Sequence, residues 1–232
     1  MKRIISAALA AVMCITPLAA FAGSFESEIK SYPWAGEAAE YCFNNGIMTG
    51  DDKGDMNLGD NITRAQMAKI FSEAFDLSPV SDYEFRDVPR DSWYYRYSLS
   101  LQDSMLKKLE KFNGGEYVTR AEFAATLVKA SGGQASDSYA ITTYSFKDAK
   151  DADEAYRPWL ETAVANLYML GDGENFHPND LLTRAEACAF LYRAKFPDAN
   201  KTPITGASEV TLAQAQSWAR AKGASDLFVD AA

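Results

Sequence analysis

The stretch "LLTRAEACAFLYRAK", Leu181 to Lys195, decides the fold. Thr183 is a good helix N-cap, and Glu186 three residues later completes a capping box, so backbone donors at the helix start are satisfied reciprocally. The block recurs as "VTRAEFAATLVKA" at Val118 to Ala130 and as "ITRAQMAKIFSEA" at Ile62 to Ala74, with Thr119/Glu122 and Thr63/Gln66 in the same roles. Ile62, Val118 and Leu182 precede the caps, and Met67, Phe123 and Ala187 take the fourth helical position, the arrangement of a hydrophobic staple. A block placed three times defines a repeat protein.

Working outward, each block follows a tryptophan: Trp34, Trp93 and Trp159 lie 29, 26 and 24 residues before Thr63, Thr119 and Thr183. Ala38, Ala39, Cys42 and Phe43 after Trp34, and Ala163, Val164, Leu167 and Leu170 after Trp159, are apolar residues at helical spacing. Turn-rich loops follow, "GDDKGDMNLGDN" in the first unit and "GDGENFHPND" in the third. One unit is therefore a helix, a loop and a second helix, and the fold class is all-α.

Capping explains every part of the block except the arginine. A cation in the first helical turn opposes the helix dipole at a cost of a few tenths of a kcal/mol, yet Arg64, Arg120 and Arg184 all stand there. Two explanations are open: an anion-binding role, in which guanidinium and helix N-terminus act on one carboxylate or phosphate, and an ion pair with an acidic residue of the neighbouring unit. On the binding reading, alanine at Arg120 and Arg184 changes stability by no more than about 0.5 kcal/mol.

The 232 residues are 47% hydrophobic, with 14 glycines and 8 prolines, the composition of a folded globular chain. The first 22 differ in kind: "MKR" supplies a positive end, "IISAALAAVMCITPLAA" an apolar run, and Ala20-Phe21-Ala22 an A-x-A signal. That describes a secretory signal peptide cleaved before Gly23, with no transmembrane segment left in the mature chain. Removing Lys2 and Arg3 from 23 basic residues leaves 21 against 32 acidic ones, a formal charge of −11, which implies no nucleic-acid surface. Cys42 and Cys188 remain after cleavage, read as buried thiols, with a disulfide as the alternative.

The recurring Trp, loop and Thr-Arg-Ala blocks, with "FRDVPRDSWYYRYSLSL" from Phe85 and "FKDAKDADEAYRPWLETAVANL" from Phe146, resemble tandem S-layer homology domains over residues 25 to 196. The resemblance implies three repeats around a pseudo-threefold axis, at 23–78, 79–133 and 134–196, after a signal peptide at 1–22. It further implies grooves between repeats that hold a cell-wall polymer, either an anionic, pyruvylated secondary polysaccharide or peptidoglycan. Carried over by position, the polymer-binding residues are Arg64, Arg120, Arg184, Asp87, Asp148, Trp34, Trp93 and Trp159. Trp and Asp also have plain structural roles open to them, as core anchors and turn caps.

Three departures from the family pattern stand out. The first unit has "FESEIKSYPW" where Phe-x-Asp is expected, and it carries Gln66 for Glu. The second has "DSMLKKLEKFNGGEYV" for a Gly-Pro-Asn-rich loop, and the third is shortened around "LYMLGDGENF". Arg64, in the unit without Phe-x-Asp, is expected to matter least for binding.

Catalytic signatures are lacking. His177 is the only histidine, and no Gly-x-Ser-x-Gly or phosphate loop occurs. "DDKGDMNLGD" lacks the register of a calcium loop. No catalytic residue, metal site or cofactor is expected, and the chain reads as a wall-binding module of an exported, cell-surface protein. The alternatives are the anchoring part of a peptidoglycan hydrolase and a self-assembling S-layer component. Residues 197–232 are expected to form a linker and a short helix, Thr211 to Ala221.

Overall fold

A computed structural model describes residues 18–52, 54–79, 84–106, 109–138, 142 and 145–197. The expected C-terminal linker and helix lie outside the described residues beyond Pro197, as do residues 1–17 of the expected signal peptide. The described chain is helical: α1 (Leu18–Ser31), α2 (Gly36–Asn44), α3 (Arg64–Phe75), α4 (Tyr95–Leu101), α5 (Arg120–Ala130), α6 (Arg157–Ala165) and α7 (Arg184–Lys195). Short 3-10 turns at Pro33–Ala35, Gln102–Ser104 and Ala149–Asp151 join them. There is no strand among the described residues, and none of their helices is long and apolar enough to cross a membrane. The expected cleavage junction before Gly23 falls inside α1.

α3, α5 and α7 start where the Thr-Arg-Ala blocks place them. Thr63, Thr119 and Thr183 have extended backbones, and each side chain accepts from the N–H three residues on. The reciprocal half of the box forms at Gln66 and Glu186 but not at Glu122. Both Glu122 oxygens instead accept from Arg64, Nε at 2.9 Å and an Nη at 3.4 Å, because an ionised donor outcompetes a backbone amide. α3 stops at Asp76, whose left-handed φ of 51° turns the chain back onto Ser72.

Around the pseudo-threefold axis the three segments before these helices close a ring. Ile62 N–H donates to Leu182 O, Leu182 N–H to Val118 O, and Val118 N–H to Ile62 O, at 2.9 to 3.1 Å. Isolated bridges Asn61–Thr183, Thr63–Tyr117 and Thr119–Leu181 flank it. Beneath the ring Phe71, Phe123 and Phe190 meet, with ring centroids 4.9 and 6.3 Å apart across the buried Phe123. Truncating a phenylalanine so placed costs about 3–5 kcal/mol.

Helix pairing crosses the repeat boundaries. α3 packs on α4, α5 on α6 and α7 on α2, so the second helix of each unit lies against the first helix of the next, cyclically. The helix-loop-helix of the sequence is thus a unit of repetition but not of packing. Cys42 on α2 and Cys188 on α7 are buried, free thiols at the closing contact, with Cys188 Sγ 3.6 Å from Met48 Sδ. The hydrogen bond with the adjoining Cys188 thiol, and burial after it, push the Cys42 thiol up, so it stays neutral.

Candidate functional site

A helix start carries four backbone N–H groups without intrahelical partners. Here all three helix starts are satisfied by the next unit. Arg64 N–H donates to Glu116 O, Arg120 N–H to Asp180 O and Arg184 N–H to Asp60 O, at 2.8–2.9 Å. Ala65, Ala121 and Ala185 N–H donate to Gly114, Pro178 and Leu58 O, each at 2.9 Å. The expectation that helix N-terminus and guanidinium act together on an external anion is corrected by this geometry, since these amides are occupied.

The arginine side chains follow the same direction. Arg64, Arg120 and Arg184 are 9%, 6% and 8% exposed, so they belong to the interfaces rather than to the surface. Arg64 donates to Phe112 O, Asn113 O, Glu116 and Glu122. Arg120 donates to Phe176 O (2.9 Å), Leu170 O (3.0 Å) and Glu186 (2.6 Å) and lies 5.3 and 5.2 Å from the rings of Phe176 and Phe190. Arg184 donates to Met56 O at 2.6 Å and Thr49 O at 2.8 Å. Every arginine therefore pins the loop of the following unit. Alanine at Arg120 cannot be neutral for stability, contrary to the expectation from helix propensity, because buried carbonyls and a carboxylate would lose their donor.

Electrostatically the three differ. The carboxylate that meets Arg64 is Glu122 and the one that meets Arg120 is Glu186; by rotation the partner of Arg184 is position 66, which is glutamine. Burial works against the Arg64 charge, but Glu122 and Glu116 outweigh it and raise the pKa. At Arg120 and Arg184 burial dominates and pulls the pKa below the usual arginine range, at Arg120 against the opposing pull of Glu186. Arg184 is the member of the trio without a carboxylate ion pair among the described residues.

Arg184 lines a groove of about 990 Å³. Lys69 lines it too, its Nζ 3.1 Å from Thr49 Oγ1, while Thr49 O accepts from Arg184. Burial lowers the Lys69 pKa against an opposing pull from Glu73, and the Arg184 charge adds a smaller push in the same direction as burial. Two cations thus share one threonine with no carboxylate bridging them. Asp51, Asp52 and Asp60 line the same wall, and Glu28, Asp60 and Asp51 all act favourably on the Arg184 charge; Trp93, 59% exposed, closes one side with Tyr117. A smaller groove, about 280 Å³, holds Arg120, Trp34 and the Leu170–His177 loop, with its arginine already paired to Glu186 and His177 Nε2 2.8 Å from Asp172.

Each groove draws on three units: the arginine of one, the loop of the next and the tryptophan of the one after. The structure so brings Arg184 together with Trp93 and Arg120 with Trp34. Trp159 is half-buried, with Lys129 Nζ 5.8 Å above its ring, and Arg64 is closed in by Glu116 and Glu122.

Asp87 and Asp148 face inward to the loops. Asp87 accepts from Phe112 and Asn113 N–H, both at 2.7 Å, and Asp148 from Phe176 and His177 N–H at 2.7 and 2.8 Å. Burial acts to raise the Asp87 pKa, but the two amides prevail and hold it below the usual carboxylate range. The first unit, which lacks Phe-x-Asp, uses Glu28 instead, accepting from Met56 N–H at 2.7 Å and from Leu58 N–H. Asn57, Asn113 and His177 all take a positive φ, 52°, 52° and 60°, at the same point, so three dissimilar loops close alike. Sequence reading missed Glu28, Glu122 and Lys69. "FESE" contains the signal for Glu28, an acid just after the phenylalanine with one residue more than the other units.

Comparison with known proteins agrees with this architecture. Residues 29–68 and 145–188 match the S-layer homology domain. The Surface-layer 125 kDa protein of Lysinibacillus sphaericus is 28% identical over 188 residues, 78% of this chain and 16% of that protein. S-layer protein EA1 of Bacillus anthracis is 28% identical over 203 residues, 82% of this chain and 22% of that protein. An S-layer protein of Bacillus licheniformis is 26% identical over 209 residues. The chain thus spans about a fifth of the length of the relatives it matches. The domain match and these relatives together indicate a secreted, cell-surface protein carrying a domain type used for surface anchoring.

Proposed function

We propose that this chain is a non-catalytic anchor that holds an exported protein to an anionic polymer of the bacterial cell wall, and that the groove of Arg184 and Lys69 is its principal binding site. On this reading residues 79–133 form a third S-layer homology repeat between the two matched segments. Its support is the shared cap, ring hydrogen bonds and loop closure of all three blocks.

The observation that carries the reading is the pair of cations at Thr49. Arg184 is buried and makes no carboxylate ion pair among the described residues, burial holds the Lys69 pKa below the usual lysine range beside it, and both line the larger groove. An incoming carboxylate, as on an acidic or pyruvylated sugar, relieves both conditions at once through charge-assisted hydrogen bonds. Trp93 offers an exposed aromatic face at the same groove for the apolar side of a sugar ring. In the smaller groove Glu186 already occupies Arg120, which makes that site the weaker one.

Lys69→Met tests this, because it keeps the apolar stem and removes a charge that no carboxylate pairs. Co-sedimentation with purified sacculi should weaken about tenfold to a hundredfold, the equivalent of roughly 1.5–3 kcal/mol for a charge-assisted contact. Chemical removal of the secondary polymer from the sacculi should abolish the difference between variant and parent. Undiminished binding by Lys69→Met would place the site elsewhere.

A further inference from the structure

We infer that Glu116 is a built-in competitor for ligand: its carboxylate fills a third acid-binding site, at Arg64, and decides whether that site is open to an acidic sugar. The inference rests on the wall-polymer reading for the biological ligand, while the geometry around Arg64 carries the rest.

Backbone hydrogen bonds match the three loops to one another. The carbonyl that accepts from the arginine N–H belongs to Glu116 at Arg64, to Asp180 at Arg120 and to Asp60 at Arg184. These three acids are equivalent by rotation, and the one at Arg64 is a methylene longer. The added reach changes the outcome. Glu116 Oε2 lies 3.1 Å from Arg64 Nη1, whereas Asp180 faces His177 Nδ1 at 3.5 Å, and Asp60 makes no ion pair with Arg184 among the described residues.

The Arg64 site draws on three units, as the two grooves do. Arg64 comes from the first, the loop of residues 112–116 from the second, and Tyr156, at the start of α6, from the third. Tyr156 is half-buried; burial raises its phenol pKa, Glu122 and Asp153 add to that, and Arg64 opposes it, so the ring stands in the field of both Arg64 and Glu122. The carboxylates that act on Arg64 are Glu122 and Glu116. They differ in kind. Glu122 grips Nε from within the interface, its side chain 14% exposed, whereas the Glu116 side chain is 60% exposed and approaches Nη1 from the solvent side. A surface carboxylate thus already reaches this guanidinium, and the path it takes is the one an external carboxylate needs.

The plug is displaceable. An ion pair with one partner so exposed is weak, and a site that is open for part of the time binds with an affinity reduced by the open fraction. The three arginines then form a graded series: no paired carboxylate at Arg184, Glu186 at Arg120, and Glu122 with Glu116 at Arg64. Removing Glu116 makes the Arg64 site the counterpart of the Arg120 site.

Glucuronic acid titrated into the mature protein, read by NMR at the arginine Nε–Hε signals, is the direct probe. In the parent the Arg64 signal should need a concentration at least about tenfold above the one that saturates Arg184. Glu116→Ala keeps the carbonyl that accepts from Arg64 N–H, and in this variant the Arg64 response should move to a concentration about tenfold lower, with the Arg184 response unchanged. Glu116→Gln keeps the length without the charge and should fall between the two. Sacculus binding by Glu116→Ala should rise about threefold to tenfold through the added contact. A lowered melting temperature with no gain at Arg64 would reduce Glu116 to a structural ion-pair member and overturn the inference, as would an Arg64 signal that moves together with Arg184 in the parent. If Arg64 opens in the variants while no form binds sacculi, the anchoring reading falls and the plug stands. If sacculi bind and Arg64 stays silent in every form, the plug falls and the anchor stands.

Discussion

Gln66→Glu should make the protein more stable and a poorer binder at the same time. The change supplies the carboxylate that Arg184 lacks, at the position where Glu122 meets Arg64 at 2.9 Å and Glu186 meets Arg120 at 2.6 Å. The cap survives, because Thr63 N–H donates to the Gln66 side-chain oxygen, an atom a carboxylate retains, as Thr183 N–H does with Glu186. In the two existing pairs the arginine side chains are 10% and 7% exposed and the glutamates 14% and 25%, between the exposed and buried limits. An exposed pair contributes 0–1 kcal/mol, and an acid in the first helical turn adds about 0.3–1. A net gain of about 1–2 kcal/mol follows, or roughly 2–8 °C in melting temperature for a domain of this size. The introduced carboxylate has its pKa lowered by Arg184, so its contribution is full above about pH 4.3 and disappears as pH falls through the lowered value. Calorimetry at pH 7 and near pH 2 should show the gain only at the former. Binding to sacculi should drop at least tenfold, because the carboxylate both occupies the guanidinium and repels the polymer's acid. A variant equal to the parent in melting temperature and in binding would refute the argument that position 66 leaves Arg184 unpaired.

Two further outcomes test the latches between units. Arg120→Ala should cost about 3–5 kcal/mol in chemical unfolding, since it strands Glu186 and two carbonyls in an interface where Arg120 is 6% exposed; a loss under 1 kcal/mol would return this arginine to a purely binding role. Asp87→Asn should cost about 1–2 kcal/mol at pH 7 by weakening its two amide contacts. Because the folded pKa of Asp87 is lowered, its contribution is present above the unfolded value near 3.9 and is lost as pH falls through the folded value, so parent and variant should converge once pH lies below that folded value. A difference that persists undiminished there would contradict the carboxylate clamp.

Much of the helical architecture was legible because its determinants are local. Thr63, Thr119 and Thr183 cap helices through contacts three residues away, and apolar residues at three- and four-residue spacing select the buried face without reference to the rest of the chain. Those ranges are short enough for the sequence alone to specify the repeat, the helix starts, the all-α class and the anomaly of the arginines. The destinations of the arginines were a different matter. Arg64 reaches Phe112 O across 48 residues, Arg120 reaches Phe176 O across 56, and Arg184 reaches Met56 O across 128. Closure of the ring is what makes unit 3 neighbour to unit 1, and only then does Gln66 become the missing partner of Arg184 rather than a detail of its own helix. Likewise Glu28 takes the place of the absent Phe-x-Asp because α1 carries it to Met56 and Leu58. Local chemistry set what each residue offers, through torsions and short-range hydrogen bonds. Tertiary packing decided which offers were already taken, and so left one arginine, one lysine and one exposed tryptophan at the larger groove.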